Sequence, residues 1–145
     1  MKNIVITGST RGIGFSMARE FLKAGCHVTL SGRGEELPEM AQLELMPYEG
    51  KYIYVKCNVQ IKANLQNLWN VSLSKWGKID IWINNAGQNT PHVFSWETNE
   101  PFTEDIFKTN IIGMIYGSQV AAREMIKQGS GAIYSMEGLG SNNMI

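Results

Sequence analysis

The feature that most constrains this chain is an alternation. Short apolar runs recur between stretches whose apolar residues keep helical spacing. "NIVIT" (3–7), "HVTLS" (27–31), "YIYVKC" (52–57), "IDIWIN" (79–84) and "GAIYSM" (131–136) read as five strands. Between them, Ile13, Met17, Ala18, Phe21 and Leu22 fall three and four apart over 12–24, and Gly25 stops that helix. Ile61, Leu65, Leu68, Trp69 and Leu73 do the same over 61–75. A charged, helix-prone stretch over 35–46 breaks near Pro47, and a loop with Pro91 and Pro101 follows the fourth strand. A long helix is predicted over 103–128, with Phe107, Ile111, Met114, Ile115, Val120, Met125 and Ile126 on its buried side. The strands are near-continuous apolar runs, as strands covered on both faces are. Right-handed crossovers then predict an α/β fold, a doubly wound parallel sheet of five strands in the order 3-2-1-4-5.

The 145 residues suit one domain. The 13 basic and 13 acidic residues cancel, so no electrostatic footprint for nucleic acid is expected. No apolar run approaches the roughly 20 residues of a membrane helix, so no membrane partner is expected. The apolar run 4–6 follows directly on Met1-Lys2-Asn3, so no leader is expected. With Cys26 and Cys57 read as reduced thiols, the expected location is cytoplasmic. The eight methionines are read as core filler. His27 and His92 have no Cys or acid cluster around them in sequence, and no metal site is expected.

Between the first strand and first helix lies "TGSTRGIG", residues 7–14. A strand feeding in and a helix leading out is the context in which a glycine-rich turn binds phosphate. Gly8 permits a tight turn off the strand, Gly12 a close backbone approach to a pyrophosphate, and Gly14 close helix–strand packing. The helix N-terminus offers free N–H groups, Ile13 included, and the positive end of its dipole. Ser9, Thr10 and Arg11 can add donors.

The 8-12-14 spacing of these glycines resembles the TGxxxGxG signature of the short-chain dehydrogenases/reductases. "NNAG" at 84–87, directly after strand 4, resembles a second signature of that family. Thr109-Asn110, followed by Gly113, resembles a third. The three fall in the family's order and span essentially the whole chain. The resemblance implies a Rossmann-type dinucleotide-binding domain over residues 1–145 and a nicotinamide cofactor.

A site for NAD places an acid at the end of strand 2, against the ribose 2′-hydroxyl. Strand 2 here ends "LSGRG", with Arg33 at that place and no acid before Glu35. Arg11 and Arg33 suit a 2′-phosphate, which favours NADP(H) over NAD(H). At the end of strand 3, Asn58 and Val59 stand where the family usually has Asp-Val against the adenine. In "NNAG", Asn84 resembles a family residue bordering the cofactor, Asn85 reads as a loop-fixing amide, and Ala86 and Gly87 leave room for the adenosine ribose.

The resemblance implies hydride transfer between the nicotinamide and a small-molecule carbonyl or alcohol. A Tyr donates the proton, tuned by a Lys in Tyr-x-x-x-Lys. A Ser orients the substrate oxygen, and a helix Asn holds a water. Asn110 matches the helix Asn; an Asn in mid-helix is otherwise mildly unfavourable, and a bend with a bound water accounts for it. Tyr116 leads to Val120 and Tyr134 to Gly138, so neither is followed by the Lys. Where the family has two serines after strand 5, this chain has Glu137 and Gly138; the nearest hydroxyl is Ser141. The Met-acid-Gly-x-Gly-Ser pattern resembles the chlorophyll(ide) b reductases, and in that subgroup Ser141 stands in for the catalytic Ser. The Tyr, the Lys and the last strands are then expected beyond residue 145, which makes the chain an inactive, truncated part of an NADP-dependent oxidoreductase. The alternative is a non-catalytic nucleotide-binding or interaction protein of the same fold. By the same resemblance, the 103–128 helix packs against its copy in a homo-oligomer.

Overall fold

A computed structural model describes residues 1–88 and 93–137. Five parallel strands form one sheet: β1 (Asn3–Ile6), β2 (His27–Gly32), β3 (Tyr52–Lys56), β4 (Ile81–Asn84) and β5 (Ala132–Ser135). Their order is β3-β2-β1-β4-β5. β1 lies at the centre, with Ile4 opposite Val28 on one side and Ile81 on the other. The helices are α1 (Gly12–Lys23), α2 (Glu39–Leu45), α3 (Lys62–Trp76), α4 (Glu100–Phe107) and α5 (Gly113–Gln128).

Alternate side chains of the central strands enter opposite cores, as strand geometry requires. Ile4, Ile6, Val28, Leu30 and Ile83 pack with Phe15, Ala18, Leu22, Ala41 and Leu45 on the α1–α2 side. Val5, Val55 and Trp82 pack with Leu65, Leu68, Trp69, Val120, Ala121 and Met125 on the α3–α5 side. Both faces of the β1 strand are therefore covered, and truncating a fully buried residue such as Leu65 to Ala costs about 2–5 kcal/mol.

Three sequence expectations change. The long helix begins at Glu100 rather than 103, because Asn99 caps it: its Oδ1 accepts from the Phe102 N–H at 2.8 Å. Pro101 therefore lies in a first turn, where it forfeits no helical hydrogen bond. The run is also not one helix; a π-turn, Lys108–Ile112, separates α4 from α5. Nor do its apolar residues share one buried face. Val120 and Met125 are buried, whereas Phe107 is 53% exposed and Ile111, Met114, Ile115 and Ile126 are exposed too. Methionine is not mainly core filler either: among the described residues only Met125 is a buried core residue, and Met1, Met40 and Met46 are well exposed.

Candidate functional site

The C-terminal ends of the strands open into a groove of about 940 Å³. It is lined from β1 by Gly8, Thr10, Arg11, Gly12 and Ile13, from β2 by Gly32 and Arg33, and from β3 by Cys57, Asn58 and Val59. β4 contributes Asn85, Ala86, Gly87 and Gln88; the helical run contributes Phe102, Thr109 and Asn110; β5 contributes Met136 and Glu137. A parallel α/β sheet places its ligand at this edge, where the strand order reverses.

The glycine-rich turn is built by close approach. Gly8 has φ +60°, and a Cβ there would lie 2.6 Å from the Ala86 Cα. A Cβ on Gly14 would run into the Asn85 amide and the Gly8 carbonyl. Thr7 ties these pieces together: its Oγ1 accepts from the Asn85 and Ala86 N–H groups, each at 3.0 Å, while Asn85 Nδ2 donates to the Gly8 carbonyl at 2.9 Å. Gly12 differs. It also has φ +60°, but no atom lies within 4 Å of the position a Cβ would take. Gly12 itself lines the groove. Arg11 occupies the cap position of α1 without a side-chain cap, so the first N–H groups of the helix are left for another acceptor. The turn therefore suits a phosphate.

Ser9 and Gly14 do not line the groove. Ser9 is fully buried; its Oγ donates to the Ile6 carbonyl at 2.7 Å and accepts from the Ser31 N–H at 2.9 Å. It joins β1 to β2 and is not placed as a phosphate donor. Asn84 likewise turns inward, accepting from Trp82 Nε1 at 2.8 Å and donating to Ser118 Oγ at 3.0 Å. Its side chain fixes strand and helix rather than bordering the groove.

The loop after β2 is held by Thr10 and by Tyr54, a residue with no signal in sequence. The Thr10 side chain packs on Gly32, and the Tyr54 hydroxyl donates to the Gly34 carbonyl at 2.6 Å. Burial, with Glu35 and Cys57 adding, pushes that phenol above its usual range. Glu35, the first acid after β2, pairs with Lys56. Arg33 is left on the groove wall. Asn58 forms a turn in which its Oδ1 accepts from the Gln60 N–H at 3.0 Å. Beside it, burial pushes the Cys57 thiol up to about 12, so it stays neutral and is no nucleophile. Cys26 and Cys57 are both free thiols.

On the far wall, Asn110 lies in the π-turn, a distortion that recurs at functional sites. Its amide pairs twice with one residue: Oδ1 accepts from the Gln88 N–H at 2.6 Å, and Nδ2 donates to the Gln88 carbonyl at 2.8 Å. Thr109 Oγ1 donates to Gln88 Oε1 at 2.8 Å and accepts from Gln60 Nε2 at 2.9 Å. Gln60 also donates to Asp105 Oδ1 at 2.6 Å. Hydrogen bonds from Gln60 and then Gln88 hold the Asp105 carboxyl below its usual range, desolvation opposes them, and Arg33 and Lys108 add to the lowering. Gln60, Gln88 and Thr109 thus support Asn110. Only Thr109 carried a signal in sequence, through the Thr-Asn pair.

Ser141 lies outside the described residues. Among the described residues, no Tyr and Lys stand together as an acid pair. A Tyr-x-x-x-Lys spelling does occur at Tyr52 and Lys56, but the fold does not make a helical pair of it. Both residues lie in β3, where four positions span about 13 Å, not one helical turn. Tyr52 packs in the α1–α2 core, and Lys56 pairs with Glu35. No group of His, Cys, Asp and Glu among the described residues could hold a metal, nor is any described helix long and apolar enough to cross a membrane.

The sequence matches the family model for short chain dehydrogenases over residues 2–143. It is 37% identical, over 146 residues, to the chloroplastic chlorophyll(ide) b reductase NOL of Arabidopsis thaliana, covering 97% of this chain and 41% of that protein. It is 29% identical to the 7alpha-hydroxysteroid dehydrogenase of Escherichia coli K12, covering 98% of this chain and 55% of that one. The structure of ElxO with NADP bound superposes with a TM-score of 0.89 at 28% identity, over 99% of this chain and 58% of the other. The chain thus spans from about a third to just over half the length of the relatives it matches. The cytoplasmic location expected from the sequence is overturned by the chloroplastic relatives, NOL and NYC1 of Arabidopsis and rice. Free thiols are compatible with any reducing compartment, so they could not have told one from another.

Proposed function

The chain belongs to the short chain dehydrogenase family, and from that premise we propose that it is the cofactor-holding part of an NADP(H)-dependent oxidoreductase acting on a carbonyl or alcohol. The observation that carries the reading is Gly12: a backbone with left-handed φ and open space where a Cβ would stand, at an uncapped helix start on a groove that Arg11 and Arg33 also line. In this reading the amides of Gly12 and Ile13 and the Thr10 hydroxyl hold the pyrophosphate, while Gly14 only lets the helix pack close to the turn. Arg11 and Arg33 hold a 2′-phosphate, where a carboxylate would have repelled it. Asn58 and Val59 flank the adenine, and Asn85, Ala86 and Gly87 form the floor beneath the ribose. Bound there, a nicotinamide dinucleotide supplies the hydride. Asn110 serves the reaction from the π-turn, with Ser141 orienting the substrate oxygen and a Tyr–Lys pair supplied from beyond the 145 residues.

Two consequences follow. The chain alone binds NADPH but turns over no carbonyl. The exposed strip Phe107, Ile111, Met114 and Ile115 pairs with a second copy of the chain. A second reading, a binding module of the same fold without chemistry, is favoured by one observation: the Asn110 amide is already engaged by Gln88. A titration of the chain with NADPH and NADH, followed by cofactor fluorescence, tests the first proposal. Tighter binding of NADPH than NADH, lost in Arg33→Ala, supports it; equal affinities overturn the NADP(H) preference. NADPH oxidation by the purified chain with an added carbonyl would overturn the claim of inactivity.

A further inference from the structure

The groove is electrically polar along its length. Arg11 follows β1 and Arg33 follows β2, whereas Glu137 follows β5. In the order β3-β2-β1-β4-β5, three strand spacings separate β2 from β5, about 14 Å at 4.8 Å each. Among the described residues lining the groove, Glu137 is the only carboxylate. Asp105 does not line it, and Glu35 is paired with Lys56. β5 pairs with β4 up to Ser135, and the Met136 N–H donates to the Asn84 carbonyl at 3.0 Å, so Glu137 emerges at a fixed height beside the β4 loop. It stands where the family's Ser pair begins, a carboxylate in place of a hydroxyl.

A dinucleotide anchored through phosphate at the Arg11–Arg33 end must extend its other ring toward β4 and β5. That ring is cationic when oxidised and neutral when reduced. We infer that Glu137 is a determinant of cofactor redox state, favouring the oxidised, cationic nicotinamide over the reduced ring at the β5 end of the groove. The inference rests on the dinucleotide reading of the site. Its size is modest because Glu137 is exposed: a unit charge pair at the groove wall in largely aqueous surroundings changes affinity by about threefold, and salt screens it. A site that holds the oxidised form more tightly makes the reduced form, when bound, the stronger reductant.

The test is the ratio of dissociation constants for NADPH and NADP⁺, measured by calorimetry on the native chain, Glu137→Gln and Glu137→Lys. The expected result is a ratio that falls about threefold in Glu137→Gln and further in Glu137→Lys, with the differences shrinking as salt is raised. Far-ultraviolet dichroism checks that each variant keeps its fold, and the glutamine, matched in shape at an exposed position, keeps the comparison valid should the lysine fail to fold. An unchanged ratio with both forms still bound overturns the inference and leaves the dinucleotide reading standing. Binding of neither form by the native chain overturns both.

Discussion

The two walls of the groove are built by opposite means. The glycine-rich turn is held by what is missing: Gly8 and Gly14 lack side chains, so Ala86 and Asn85 can press against the turn. The π-turn wall is held by what is present, a chain of side-chain hydrogen bonds through Gln60, Thr109, Gln88 and Asn110. The first kind of wall has no slack, because an added methyl meets backbone. The second can lose one bond and re-form around water. The difference predicts that the turn fails abruptly under mutation and the π-turn by degrees.

The most damaging test is Gly8→Ala. A methyl 2.6 Å from the Ala86 Cα, on a backbone at φ +60°, is expected to cost about 3 kcal/mol or more in a urea melt. Asn110→Ala comes next: it strands the N–H and the carbonyl of Gln88 together, about 2 kcal/mol in the same measurement. A larger loss for Asn110 than for Gly8 would reverse the comparison. Gly12→Ala separates stability from binding within one turn. With nothing for its methyl to strike, it should cost only about 1–2 kcal/mol of backbone strain, yet weaken NADPH binding at least tenfold, about 1.4 kcal/mol, by filling the phosphate approach. Thr109→Val removes one bridging hydroxyl and should cost about 1 kcal/mol, measurable as a small shift in the urea midpoint.

The smallest effect concerns Cys57. Its folded value, about 12, lies above the ordinary 9.0 of a free thiol. Stability from that neutral, buried thiol is complete below the unfolded value and is lost as pH rises through the folded one. Near neutrality Cys57 therefore adds no pH dependence, and peptide mapping after iodoacetamide treatment should find Cys26 modified well before Cys57. Faster labelling at Cys57 would mean that the floor of the groove opens.

The same contrast explains what was legible in the sequence. The sheet order and the turn could be read because their causes are local. Apolar runs repeat on a strand period, and a glycine is visible wherever a left-handed φ or a close contact demands one. The π-turn could not be read. Phe107, Ile111, Met114 and Ile115 keep a spacing that looks like an unbroken buried face, but all four are exposed in the fold, and a π-turn interrupts the run at Lys108–Ile112. Ser9 and Asn84 were misplaced for a related reason. Their positions in the motifs are clear, but whether a short polar side chain faces the groove or the neighbouring strand depends on partners, Ser31 and Trp82, that only the folded sheet brings close. Gln60 and Gln88 gave no signal at all, because an amide in a loop has no period.

The π-turn also makes this part of the chain sensitive to residue count rather than residue identity. An α turn closes each N–H on the carbonyl four residues back, and this one closes five back. Each residue of helix carries the next round by about 100°. A one-residue deletion within Lys108–Ile112 would restore an unbroken α-helix and leave α5 in nearly the same phase relative to α4, because the wide turn absorbs one residue; the same deletion in the regular turns of Gly113–Gln128 would swing everything after it by that angle. After the first deletion Gly113 still faces Val59 and Gly117 still faces Asn84, but the widened turn that holds Asn110 against Gln88 is gone. A single lost codon in the π-turn would therefore spare the core and remove the groove wall, whereas one lost in α5 would put the core out of phase.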